Sequence, residues 1–158
     1  MTERKQGFHL DPGEKAGLTL ALALLGLFFA MIVYAAKGLK IDVPTCVTNL
    51  KPFETGKLIE HADKRYELHI LARMWLFDLN EGATEITIPA GSVVDIFVTS
   101  KDVVHGVHIH GTNFNVMAIP GSVGYMRVKF DKPGVYHVVC HEFCGVGHQA
   151  MQGKIIVQ

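Results

Sequence analysis

The sequence predicts an all-β sandwich or barrel carried behind one membrane-spanning helix. Three observations predict it: a long uncharged apolar block near the start, a succession of short β-branched runs after residue 64, and turn residues between those runs. A chain of 158 residues has room for one compact domain and an appendage, so one core is expected. Lys plus Arg and Asp plus Glu number 15 each, which leaves no global field for nucleic acid, and no nucleic-acid partner is expected.

The apolar block, AGLTLALALLGLFFAMIVYAA, fills residues 16–36 without a charge. As a helix rising ~1.5 Å per residue it spans about 30 Å, the hydrocarbon thickness of a bilayer. Asp11 is placed to cap it, Pro12 suits the first helical position, and Glu14 completes a capping box. A secretory apolar segment usually has ~7–15 residues, so residues 16–37 are expected to remain as an anchor in the lipid membrane. Arg4, Lys5 and Lys15 precede the block, and Lys37 and Lys40 follow it. The positive-inside rule then places residues 1–15 on the cytoplasmic side and the rest outside the inner membrane, in a single pass.

Residues 38–64 are polar and mixed, with Pro44 and Pro52, and are expected to form a linker with a short helical turn near residues 53–62. Cys46 stands alone there, without a leucine-rich lipid-attachment pattern, and reads as an unpaired thiol. Residues 65–158 form the expected β domain. Strands are expected over 66–77, 85–88, 92–100, 103–110, 114–118, 124–130, 134–140 and 153–157. Ile88-Pro89-Ala90-Gly91 and Asp131-Lys132-Pro133-Gly134 supply turns. The second turn feeds VYHVVC, so Cys140 falls at the far end of a strand, where functional loops gather.

Chemistry concentrates just beyond that point. Cys140, Cys144, His148 and Met151 are spaced four, four and three residues apart and offer two thiols, an imidazole and a thioether. Soft sulfur favours copper(I) or zinc, and imidazole accepts either oxidation state of copper, so copper fits the mixture best. A blue-copper loop needs one Cys; a second allows two thiolates to bridge two ions. Each ion then needs a terminal imidazole. His148 supplies one, and the other comes from His105, His108 or His110, of which His105 stands beside Gly106 at a strand entrance where a backbone approaches closely.

Plainer readings compete. Paired cysteines outside the membrane commonly form a disulfide, which leaves His148 and Met151 unexplained. A zinc site from His105, Cys140, Cys144 and His148 gives Met151 no role. His61, His69, His137 and His141 read as solvated or satisfied side chains. Phe143 and Val146 are expected to pack beneath the loop and exclude water. Met31, Met74, Met117 and Met126 read as apolar filling.

The phrases DVVHGVHIHGTNFNV, IPGSVGYMRVKFDKPGVYHVVC and the Cys-x-Glu-x-Cys-x-x-x-His-x-x-Met loop resemble the copper A domain of cytochrome c oxidase subunit II, and the single membrane helix resembles the B-type branch of these haem-copper oxidases. The resemblance implies a cupredoxin-like Greek-key sandwich and a centre of two copper ions. It selects His105, Cys140, Cys144, His148 and Met151 as ligands, with the main-chain carbonyl of Glu142 as a weak axial donor. It implies cytochrome c as electron donor. The acceptor is haem in subunit I, where haem and a further copper reduce oxygen, possible small subunits completing the assembly. The chain is then an enzyme subunit, with no oxygen chemistry of its own. Trp75 and Phe77 are the candidates for electron entry. Glu142 also has a carboxylate to offer a magnesium ion, as in some relatives. Asp78, Glu81 and Glu85 could form a small acidic rim around an otherwise apolar, weakly salt-dependent docking patch.

Three other readings compete with it. A membrane-anchored copper carrier would need an exchangeable single ion. The copper A domain of nitrous oxide reductase follows a large propeller domain. The second subunit of a quinol oxidase shares the fold but lacks the copper ligands.

Overall fold

The computed structural model describes residues 11–39 and 44–158. Arg4, Lys5, His9 and Lys40 lie outside them. The chain divides into two units, Met1–Ile41 and Asp42–Gln158; the described residues of the first are helical and those of the second form β-strands.

Helix α1 runs Pro12–Val33 and is continued by a wider π-type turn, Tyr34–Gly38. Its start is local chemistry: the Asp11 carboxylate accepts the Glu14 N–H at 2.9 Å, and the Glu14 carboxylate accepts the Asp11 N–H at 2.9 Å. None of its residues is buried, and large apolar side chains such as Leu20, Phe28 and Met31 point outward. Twenty-seven residues, Pro12–Gly38, are long and apolar enough to cross a membrane. Such a surface is compatible with lipid and not with water.

The β unit consists of β1 (Thr45–Cys46), β2 (Lys57–Glu60), β3 (Arg65–Arg73), β4 (Leu76–Asp78), β5 (Glu85–Ile88), β6 (Ser92–Ser100), β7 (His105–Ile109), β8 (Asn115–Ala118), β9 (Gly124–Phe130), β10 (Gly134–Cys140) and β11 (Gln152–Val157). One sheet has the order β1-β9-β6-β3-β2, with β4 also paired to β3; the other has the order β5-β11-β10-β7-β8. β3 and β6 run parallel, as do β5 and β11, while the remaining pairs are antiparallel. This is the expected all-β cupredoxin-like sandwich. Period-two alternation turns Leu68, Ile70, Ile96, Val98, Met126 and Val128 of the first sheet inward against Val107, Ile109, Val138, Ile155 and Val157 of the second. Each such side chain contributes on the order of 1.5–3 kcal/mol by leaving water.

Three expectations need correction. The helical turn near residues 53–62 is absent, and β2 occupies residues 57–60 instead; with β1 it places two edge strands inside the stretch expected to be a linker. The run 66–77 is two strands, since the chain reverses at Met74 and Trp75 and pairs Leu71 with Asp78. Asp78 is buried, its carboxylate accepting the Gly82 N–H at 2.7 Å, so it belongs to no acidic rim.

On the outer face of the first sheet, Asp95 accepts two hydrogen bonds from Arg127, at 2.7 and 3.0 Å, and one from the Tyr125 hydroxyl at 2.6 Å. Burial raises the carboxyl's pKa, but those bonds and the charges of Arg127 and Arg65 outweigh it and hold it below the usual range. A depressed folded value means that the stabilisation is present above the unfolded carboxylate pKa and is lost as pH falls through the folded one. Acid titration of the copper-free chain should therefore show wild type losing stability below about pH 4 more steeply than Asp95→Asn. Parallel curves would remove Asp95 from the acid response.

Candidate metal centre

The antiparallel register of β7 and β10 pairs Val107 with Cys140 and His108 with Val139, which brings the entrance of β7 beside the exit of β10. The loop that follows Cys140 is closed where the Cys140 N–H donates to the Met151 carbonyl at 3.3 Å. Gly106 permits the approach: its carbonyl accepts the His141 N–H at 3.3 Å, and a Cβ on it would lie 2.4 Å from the His141 ring.

Ligating atoms of His105, Cys140 and Cys144 all lie within 4.8 Å of one another, the one such cluster among the described residues. The two Sγ atoms are 3.8 Å apart and both thiols are free. His105 Nδ1 is 3.9 Å from Cys140 Sγ, and His148 Nδ1 is 3.6 Å from Cys144 Sγ, so the imidazoles flank the sulfur pair, one beside each thiol. Met151 is buried with its Sδ 3.8 Å from Cys144 Sγ. The Cys140 thiol donates to the Glu142 carbonyl at 3.3 Å, while the Glu142 side chain is exposed. His108 is held elsewhere, with Nδ1 2.8 Å from the Phe114 carbonyl, and His110 is exposed with its ring 5.1 Å from that of His108.

Burial governs the charge state of the Cys144 thiol. Burial, with Cys140 and the Asp102 carboxylate nearby, pushes the Cys144 thiol up to about 11. A metal binding here must displace that proton, so uptake should release it and weaken as pH falls. Burial also raises Asp102, but hydrogen bonds from His105 and from the Met74 and Val103 N–H groups prevail and hold it below the usual carboxylate range.

The donor set fits copper. Thiolate bonds of first-row ions are ~2.3 Å, as for zinc, so two sulfurs 3.8 Å apart are close enough to share the same ions. Soft sulfur, imidazole and a buried thioether are copper ligands. Tetrahedral zinc would leave the buried Met151 thioether idle.

Residues 68–158 match the family described as cytochrome C oxidase subunit II, periplasmic domain. The chain belongs to the cytochrome c oxidase subunit II family. It is 34% identical to cytochrome c oxidase subunit 2 of Thermus thermophilus over 92% of this chain and 91% of that protein. It is 37% identical to heme-copper oxidase subunit 2 of Aeropyrum pernix over 52% of this chain and 39% of that protein. Among solved structures, a chain of a heme-copper terminal oxidase dimer is 82% identical, with a TM-score of 0.82 over 92% of this chain and 99% of that one. The periplasmic domain of subunit II of cytochrome oxidase from Bradyrhizobium japonicum shares the fold, at 20% identity and a TM-score of 0.52. The chain is thus subunit II of a haem-copper oxidase, an oxidoreductase of respiration, and its apolar helix and periplasmic-domain family fit a single-pass membrane protein.

Around the centre of this subunit II the aromatic residues separate. Trp75 is 42% exposed, donates its indole N–H to the Cys144 carbonyl at 3.1 Å and lies against Gly145 and Gly147. Phe77 is 0% exposed and packed in the core, so an encounter with a donor at the surface is closed to it. Phe143 and Val146 do not pack beneath the loop: they are 77% and 86% exposed and give the centre an apolar outer rim. Sequence reasoning missed Asp102 and Gly147. The first carried a signal, an acceptor three residues before a candidate ligand histidine at a strand entrance.

Gly147 has φ −90°, open to any residue, yet a Cβ there would meet the Trp75 ring at 2.5 Å. Gly147→Ala should therefore push the indole off the Cys144 carbonyl, at a cost of about 1 kcal/mol for the lost hydrogen bond. Trp75 is the only tryptophan, so emission reports it directly: a red shift is expected, and an unchanged spectrum would show the contact to be dispensable.

Proposed function

We propose that His105, Cys140, Cys144, His148, Met151 and the main-chain carbonyl of Glu142 hold two copper ions, and that this centre accepts electrons from cytochrome c and passes them to haem in subunit I, where oxygen is reduced. The observation that carries the reading is the pair of free thiols 3.8 Å apart, flanked by His105 and His148 and backed by a buried thioether. When bound, a copper pair held by these residues would supply one-electron transfer with the charge shared over both ions.

The chain's own residues set the conditions. The β scaffold fixes the ligands before an electron arrives, which keeps rearrangement small. Trp75, half-exposed and hydrogen-bonded to the Cys144 carbonyl, is the entry residue, and the apolar rim of Phe143 and Val146 is available to a redox partner. With no net charge on the chain, docking there should depend only modestly on salt. Residues 1–15 are placed on the cytoplasmic side and the β unit on the periplasmic side, with subunit I as the lateral partner of the helix in the inner membrane.

Electron paramagnetic resonance of the copper-loaded full chain tests the reading. Hyperfine structure from two equivalent copper nuclei is expected. A single-copper pattern would indicate a carrier or blue-copper site, and silence a zinc or disulfide site.

A further inference from the structure

We propose that the Asp102 carboxylate is a positioning residue that fixes the metal-binding tautomer of His105 and, with its other oxygen, clamps the Met74–Trp75 turn against the loop. This rests on the copper reading given above. His105 is fully buried, and its Nε2 lies 2.8 Å from Asp102 Oδ1. A carboxylate only accepts hydrogen bonds, so Nε2 carries the proton, and the Nδ1 lone pair is left free on the side of Cys140 Sγ, 3.9 Å away. The same Oδ1 accepts the Val103 N–H at 2.7 Å, while Oδ2 accepts the Met74 N–H at 2.6 Å. The next residue, Trp75, reaches the other thiol's backbone through its bond to the Cys144 carbonyl. One side chain therefore couples the imidazole beside Cys140 to the turn that covers Cys144.

Only a carboxylate satisfies both ends. An asparagine of the same shape has one acceptor. Turned with its oxygen toward His105, it presents an NH2 to the Met74 N–H, and the turn loses its anchor. Turned the other way, it presents that NH2 to Nε2, which must then become the acceptor. The ring proton moves to Nδ1 and blocks ligation there. Outer partners of ligand histidines also raise their basicity, and removing one typically lowers metal affinity by about 10–100-fold.

The test uses the full chain in lipid nanodiscs. Nitrogen NMR of the copper-free wild type should show His105 protonated at Nε2, and Asp102→Asn should show proton density at Nδ1 or a red-shifted Trp75 emission. In chelator competition, Asp102→Asn should hold copper about 10–100-fold more weakly than wild type. A wild-type ring protonated at Nδ1 overturns the proposal without any variant. So does an Asp102→Asn chain with the wild-type tautomer, emission and copper affinity within about twofold. Uptake of fewer than two coppers by the wild type would instead count against the preceding section, while the tautomer would still judge Asp102.

Discussion

Cys144→Ser is expected to reduce copper from two ions to at most one per chain and to slow electron entry by more than the roughly 10–100-fold of an outer-partner change. Cys144 is central to the cluster: its sulfur lies 3.8 Å from Cys140 Sγ, 3.6 Å from His148 Nδ1 and 3.8 Å from Met151 Sδ. A serine hydroxyl is nearly the same size, but it is a hard donor that stays protonated, so it neither bridges nor suits copper(I). The buried hydroxyl should cost the fold only about 1–3 kcal/mol. Metal analysis beside a melting curve separates the two effects. Full copper occupancy and an unchanged spectrum in the variant would remove Cys144 from the ligand set and leave the bridging reading without support.

That ligand loop is legible in the sequence because its information is local. Four sulfur and imidazole donors fall within twelve residues, and the spacing survives whatever the surrounding strands do. The helix is legible for the same reason, with its cap made by residues three apart. Long strands such as β6 and β9 announce themselves through alternation. Thr45–Cys46 does not, because two residues show no period, and in Lys57–Glu60 the two apolar residues are adjacent between charged ones, so nothing alternates. The reversal at Met74 and Trp75 is hidden inside an apolar run with no Gly or Pro to mark it.

What the sequence conceals is the support around the site. The Met74 N–H meets Asp102 across 28 residues, and the Trp75 indole meets the Cys144 carbonyl across 69. Neither pairing has a pattern in the chain; the first joins the β3–β4 reversal to the residues before β7, and the second joins it to the loop after β10. Phe143 and Val146 show the converse error. Apolar type predicts burial on average, but a loop that turns Cys144 and Met151 inward leaves Phe143 and Val146 facing out.

Phe77 is where the core and the electron path are most easily confused, and the two roles predict different outcomes. The ring is fully buried among the core residues, and its Cβ lies 3.7 Å from where a Cβ on Gly153 of β11 would stand, so it ties β4 to the opposite sheet. Phe77→Ala should destabilise the β unit by about 3–5 kcal/mol through lost transfer energy and an unfilled cavity. For a domain of this size that lowers the melting temperature by roughly 10 °C or more. Phe77→Leu fills most of the space and should recover much of the loss while removing the aromatic ring altogether. Electron entry measured with the leucine variant in the assembled oxidase should then match wild type. A slowed rate in a chain that melts normally would return Phe77 to the path and deprive Trp75 of its place as the entry residue.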